Sequence, residues 1–236
     1  MTARFRRTLL DKATAPYRSA GRFAWHFARG KLGGDPVFFA LLERGLIPDS
    51  KRLIDLGCGQ GLLASWLHSA RALYESGDWP QEWPAAPKVE HIWGLELMSK
   101  DVARAQAAVG DHAEFALGNI CTTGFGQADV AVILDVLHYI DYAAQEDVLN
   151  RVRAALPRGG VFITRVGDAS AGLPFHICNW VDRTAFFMRG HRLNRLYCRT
   201  LDEWIALLKQ TGFSVEPLPM SGDKPFANVM LIAKAI

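Results

Sequence analysis

Asp55-Leu56-Gly57-Cys58-Gly59-Gln60-Gly61 is the stretch from which the rest of the chain is read. Lys51-Arg-Leu-Ile54 leads into it with strand character, and Leu62-Leu-Ala-Ser-Trp-Leu-His68 leads out of it as a helix. A glycine-rich turn between strand and helix lets backbone approach a ligand closely and aims free N–H groups at it. The carboxylate of Asp55 at the strand end makes this turn a poor phosphate site and a good site for a cation.

Two readings compete for such a turn. A dinucleotide fold carries G-x-G-x-x-G with an acid about 20 residues on. Gly57, Gly59 and Gly61 are spaced G-x-G-x-G instead, and Leu62 occupies the third dinucleotide position. Glu96, the next strand-end acid, follows a long insertion, so its spacing does not discriminate.

Outward from the turn, strand and helix patterns alternate, which predicts a parallel sheet covered on both faces. Strands are expected at Arg52–Leu56, Val89–Leu95, Glu114–Leu117, Asp129–Leu134 and Val161–Val166. Helices are expected at Leu62–Tyr74, Lys100–Val109 and Ala143–Leu156, the last capped by Asp141 and stopped by Pro157-Arg-Gly159-Gly160. Thr200-Leu-Asp-Glu203 reads as a capping box opening a helix that ends at Gly212. Strands near Ser214–Glu216 and Asn228–Ala233 are joined by the turn-rich Pro217–Pro225, too short for a helical crossover, so they form an antiparallel hairpin. Residues 1–45 read as helical and precede the sheet. Residues 75–88 read as a Pro- and Trp-rich loop.

With 236 residues, half of them apolar, the chain suffices for one sizeable α/β domain with an appendage. A net charge of +3 does not imply a nucleic-acid binder. Cys58, Cys121, Cys178 and Cys198 form no C-x-x-C pair and read as reduced thiols of a cytoplasmic protein. A cluster of His176, Cys178, His191 and Cys198 is looser than ordinary zinc spacing, so no metal is expected. The arginine-containing N-terminus has no continuous apolar core of a secretory signal, and no run approaches the roughly 20 residues that span a bilayer.

The acid followed by three alternate glycines resembles the first motif of the class I S-adenosylmethionine-dependent methyltransferases. The likeness covers about Lys51 to Ile236 and is strongest from Asp55 to Gly160. It implies a Rossmann-like seven-stranded methyltransferase sheet, mostly parallel with a terminal antiparallel hairpin, and S-adenosylmethionine as cofactor with S-adenosylhomocysteine as product. Asp55, Gly57, Cys58, Gly59 and Gly61 would cradle the methionine end. Glu96 would accept from the ribose hydroxyls, with Leu97 and Met98 beside the adenine. Asn119 and Ile120 would meet the adenine edge, Asn119 standing where many members have Asp. Asp135, at the end of Ala131-Val-Ile-Leu134, would lie near the reacting centre or serve structurally, and His138 is the candidate general base. His176 and His191 are alternative bases.

The same stretch reads Leu134-Asp-Val-Leu137 where enzymes acting on nucleic-acid bases or glutamine amides carry Asn/Asp-Pro-Pro-Tyr/Phe. The acceptor expected is therefore a small-molecule or carrier-bound one, aromatic or acyl, methylated at oxygen or carbon. Residues 167–199, with three Phe, one Trp and five Arg, would form a substrate lid within the domain 46–236, behind an N-terminal cap 1–45. The run from Gly33 to Pro48 also resembles bacterial methyltransferases encoded with aryl-polyene pathways. Met1–Lys31 carries eight basic residues against Asp11 alone, interleaved with Phe5, Phe23, Trp25 and Phe27. It is either a cap or a dock for an acidic carrier protein or an anionic membrane surface. The rival functions are an NAD-dependent oxidoreductase and a non-catalytic S-adenosylmethionine-binding subunit. The residues do not define an oligomeric state.

Overall fold

A computed structural model describes residues 2–170, 196–220 and 228–236. Most of the expected lid, including His176, Cys178 and His191, lies outside the described residues, as does 221–227 of the expected hairpin turn. Seven strands form one sheet in the order β3-β2-β1-β4-β5-β7-β6. They are β1 (Ser50–Leu56), β2 (Val89–Glu96), β3 (Glu114–Leu117), β4 (Val130–Leu134), β5 (Val161–Gly167), β6 (Phe213–Pro219) and β7 (Asn228–Ala235). The helices are α1 (Thr2–Thr14), α2 (Arg22–Gly34), α3 (Pro36–Glu43), α4 (Leu62–Glu75), α5 (Ser99–Val109), α6 (Tyr142–Ala155) and α7 (Leu201–Gln210). The chain divides into two compact units, Met1–Ala131 and Val132–Ile236.

In Met1–Ala131, β1 pairs in parallel with β2, Asp55 opposite Gly94, and β2 in parallel with β3, Glu96 opposite Leu117. The last four residues of β1 are all buried, the near-continuous apolar character of a strand covered on both faces. α3 starts where Pro36 can sit without an N–H partner, and Asp35 caps it by accepting from the Val37 N–H. Trp66 of α4 is fully buried between the Phe38 and Phe39 rings and donates its indole N–H to the Phe38 carbonyl at 2.8 Å. That bond lets a large aromatic enter the core without stranding its polar atom. The 75–88 loop is used as packing: Trp79 and Trp83 meet Phe5 of α1 edge-on at 5.4 and 5.2 Å.

In Val132–Ile236, β7 runs antiparallel to both β5 and β6, the terminal hairpin that the short Pro-rich connection predicts. β6 extends from Phe213 to Pro219, further than the sequence suggests, because Pro217 and Pro219 are tolerated on the strand at the end of the sheet order. Asp141 caps α6, and Thr200 with Glu203 closes the reciprocal box at the start of α7.

Candidate functional site

The glycine turn adopts the conformations its composition allows. Gly57, Gly59 and Gly61 all have positive φ, 80°, 56° and 73°. The Gly57 and Cys58 N–H groups donate to the Leu95 carbonyl at 2.7 and 3.2 Å, tying the turn to the end of β2. Gly59 and Gly61 are glycines for different reasons. A Cβ on Gly61 would lie 2.7 Å from the Phe115 ring, whereas one on Gly59 would meet nothing within 4 Å. We therefore expect Gly61→Ala to lower the unfolding midpoint sharply, by steric overlap added to backbone strain of about 1 kcal/mol. Gly59→Ala should show only that strain while losing affinity for whatever approaches the turn. Thermal melts with and without ligand separate the two, and equal destabilisation would contradict the assignment.

Glu96 is fixed from two sides. One carboxylate oxygen accepts from the Gly59 N–H at 2.9 Å and the other from the Met98 N–H at 2.8 Å. Such a carboxylate is a rigid acceptor with lone pairs remaining. The Glu96 carbonyl accepts from the Gly118 N–H at 2.9 Å, which draws the end of β3 alongside. Leu97 is exposed, Met98 stands at the N-cap position of α5 without a side-chain bond to it, and Ile120 is buried. The Asn119 side-chain oxygen accepts from the Cys121 N–H at 2.9 Å, a local turn that uses one of its two lone pairs.

Asp55 is 5 % exposed, and burial first, then the nearby Glu96 carboxylate, pushes its pKa up to about 7. Two carboxylates placed together without a cation are costly to ionise, so the site is built for positive charge. The Cys58 thiol is pushed well above its usual range by burial, then by Asp55 and Glu96, which makes it inert packing.

Two neighbours escape sequence reasoning. Tyr17, fully buried in the single helical turn Ala15–Arg18, donates its hydroxyl to the Gln60 carbonyl at 3.0 Å. Burial drives its phenol well above the ordinary range, so it stays protonated and a donor. Gln60 is 1 % exposed, and neither amide atom has a hydrogen-bond partner among the described residues. Burying an unpaired amide is expensive, and a polar ligand at this turn would relieve it. Paired carboxylates, an open face at Gly59 and a waiting amide together fit a cationic amino-acid nucleoside.

The basic N-terminal residues are largely engaged within the chain. Arg6 pairs with Glu43, Arg29 with Asp11 at 2.6 Å and Lys31 with Asp35 at 2.7 Å. Arg18 and Arg29 both lie over the Trp25 ring.

In Val132–Ile236, Asp135 holds a left-handed φ of 60°, the one such non-glycine residue among those described. Its carboxylate is gripped by the fork of Arg165, a buried residue of β5, with Nε to Oδ1 at 2.7 Å and Nη2 to Oδ2. Asp135 is thus the bidentate partner of Arg165. His138 lies in the helical turn Leu137–Tyr139, half-buried, with its ring 4.1 Å from that of Tyr139. Among the described residues no cluster of three or more His, Cys, Asp or Glu could hold a metal ion, and no helix is long and apolar enough to cross a membrane.

A family described as a methyltransferase domain matches residues 24–218. No curated protein matches the chain in sequence. Solved structures share the fold at low identity. An O-methyltransferase family protein from Burkholderia thailandensis is 18 % identical with a TM-score of 0.63, over 90 % of this chain and 59 % of its own length. The chain therefore spans rather more than half of that protein. Magnesium protoporphyrin IX methyltransferase from Synechocystis, with bound S-adenosylhomocysteine, is 18 % identical with a TM-score of 0.60 and full coverage of both chains. Human N-acetylserotonin methyltransferase, in complex with S-adenosylmethionine, is 17 % identical with a TM-score of 0.60, over 95 % of this chain and 59 % of that one.

Proposed function

The chain belongs to the methyltransferase-domain family, and on that premise we propose that it transfers a methyl group from S-adenosylmethionine to a small-molecule or carrier-bound acceptor, aromatic or acyl, at oxygen or carbon. One observation carries the cofactor: Asp55 is buried beside Glu96 at a turn of three left-handed glycines, an acidic pocket that a cation would neutralise. In this reading Asp55 and the Gly57–Gly61 backbone hold the methionine end. Glu96, already pinned by two N–H groups, accepts the ribose hydroxyls. Asn119 and Ile120 flank the adenine.

The bound sulfonium supplies the methyl group and a good leaving group. The chain's remaining task is to hold the acceptor in line, exclude water and remove its proton. We assign the proton to the His138 imidazole, the side-chain type that most often serves as a general base. The Arg165 fork on Asp135 supports His138 over Asp135 as the base, since that carboxylate already serves a cation.

The test is a thermal melt with S-adenosylhomocysteine or NAD, each at about 100 times its expected dissociation constant, where binding adds roughly 2.7 kcal/mol. A rise of about 5–10 °C with S-adenosylhomocysteine alone is expected. A response to NAD alone would overturn the reading. Methyl transfer onto a panel of phenols and acyl thioesters then excludes a non-catalytic subunit, and His138→Ala should lower kcat on the acceptor found. An unchanged kcat at saturation removes the base assignment.

A further inference from the structure

Gln145 belongs to none of the sequence motifs, yet it is fully buried within α6 and bonded on both faces of its amide. Its nitrogen shares two protons among three backbone carbonyls, Leu137 at 3.0 Å, Ile140 at 3.2 Å and Tyr197 at 2.8 Å. Its oxygen accepts from Arg199 Nε at 2.9 Å. Arg199 is itself anchored: its Nη2 donates to the Tyr142 carbonyl at 3.3 Å and to Glu146 at 3.0 Å, and its guanidinium lies 4.7 Å from the Tyr142 ring centre. Arginine offers only donors and carbonyls only accept, so the amide has one permissible orientation.

None of the bonds from the Gln145 nitrogen goes to the helix that carries it. Two of the carbonyls bracket His138, one on either side of it in sequence. The third belongs to Tyr197, whose own N–H donates to the His138 carbonyl at 2.9 Å. The main chain at Leu137, His138 and Ile140 is thus pinned by one amide and by the Tyr197 backbone that the same amide holds. A buried glutamine that only filled space would be replaceable by leucine or methionine. This one gathers three acceptors, at least two of which would lose their buried donor if it were removed.

We propose that Gln145, oriented by Arg199, is the positioning residue for His138, setting the direction of its imidazole by fixing the backbone on both sides and the register of Tyr197 against it. The proposal rests on the assignment of His138 as the base, and its test is chosen to be read without an acceptor. Gln145→Glu is nearly isosteric but presents a carboxylate to three carbonyls, and Arg199 turns toward it. At pH 8 the exchange of the Tyr197 backbone amide should accelerate at least tenfold. The His138 ring signal should move in histidine-selective NMR spectra, while those of His26 and His91 stay fixed. Below the pH at which the new carboxyl protonates, one donor returns and the Tyr197 protection factor should recover in part. Affinity for S-adenosylhomocysteine should change less than about twofold. Once an acceptor is found, kcat should fall about tenfold or more with KM within threefold.

If Gln145→Glu does not fold, Arg199→Lys retains the charge but not the fork, and should give the same changes at smaller amplitude. Unchanged Tyr197 protection and His138 signals in a folded variant of either kind would overturn the proposal. Loss of kcat without those changes would overturn it too, by showing an effect that bypasses His138. Failure of the methyltransferase reading would leave the exchange and ring-signal results standing.

Discussion

Asp55→Asn is expected to raise the unfolding midpoint of the ligand-free protein at pH 8 while abolishing its response to S-adenosylhomocysteine. The sign follows from burial. The Asp55 carboxyl titrates at about 7 in the folded chain, above its ordinary value of 3.8. A group with a raised folded pKa contributes stability that is fully present below its unfolded pKa and lost as pH rises through the folded one. Between pH 4 and 7 the ligand-free wild type should therefore lose ground, by on the order of 4 kcal/mol before relaxation and water entry reduce it. Asparagine removes that dependence, and several degrees of midpoint should separate the two proteins at pH 8 but not at pH 4. The same substitution removes the charge that receives the ligand's cation. A variant no more stable at pH 8, or one that keeps the ligand-induced shift, would refute this view of the turn.

Arg165→Met should be the most destabilising substitution in Val132–Ile236 outside the apolar core. The guanidinium is 4 % exposed and its bidentate partner Asp135 is held in a left-handed conformation. Removing one member of a buried pair leaves the other uncompensated, at about 3 kcal/mol here because Asp135 is partly open to water. Urea unfolding should show that loss, and the double variant with Asp135→Asn should regain part of it, since asparagine tolerates the same φ without a charge. A single-variant loss below about 1 kcal/mol, or strict additivity of the two, would contradict the pair's importance.

What the sequence revealed and what it hid divide along a physical line. The glycine turn, the strand-end acids, the Asp141 cap, the Thr200–Glu203 box and the closing hairpin are written in neighbouring residues, where spacing alone implies geometry. Tyr17, Gln60, Gln145 and Arg165 are single polar side chains whose meaning lies in partners far along the chain. Arg165 meets Asp135 across 30 positions, and Tyr17 meets Gln60 across 43. Arg165 did leave a trace, the single charge within Val161–Val166, which a strand covered on both faces admits only with a partner. Gln145 left none, because a glutamine on an amphipathic helix looks the same whether it faces solvent or three carbonyls. The turn by which the Asn119 side-chain oxygen accepts from the Cys121 N–H is a common habit of that residue type and leaves its place beside the adenine open.

The contacts that seat α1 also impose an order on synthesis. Phe5 rests on Trp79 and Trp83, and the Ala13 carbonyl receives the Ser65 hydroxyl at 2.7 Å. On a ribosome adding about 5–20 residues per second, α1 emerges several seconds or more before any of these partners exists. Through that interval a basic, aromatic-bearing helix stands with only part of the surface it is shaped for. The nascent chain must therefore carry α1 on its earlier contacts alone, Asp11 with Arg29 and Arg6 with Glu43, until the Pro- and Trp-rich loop completes its seat.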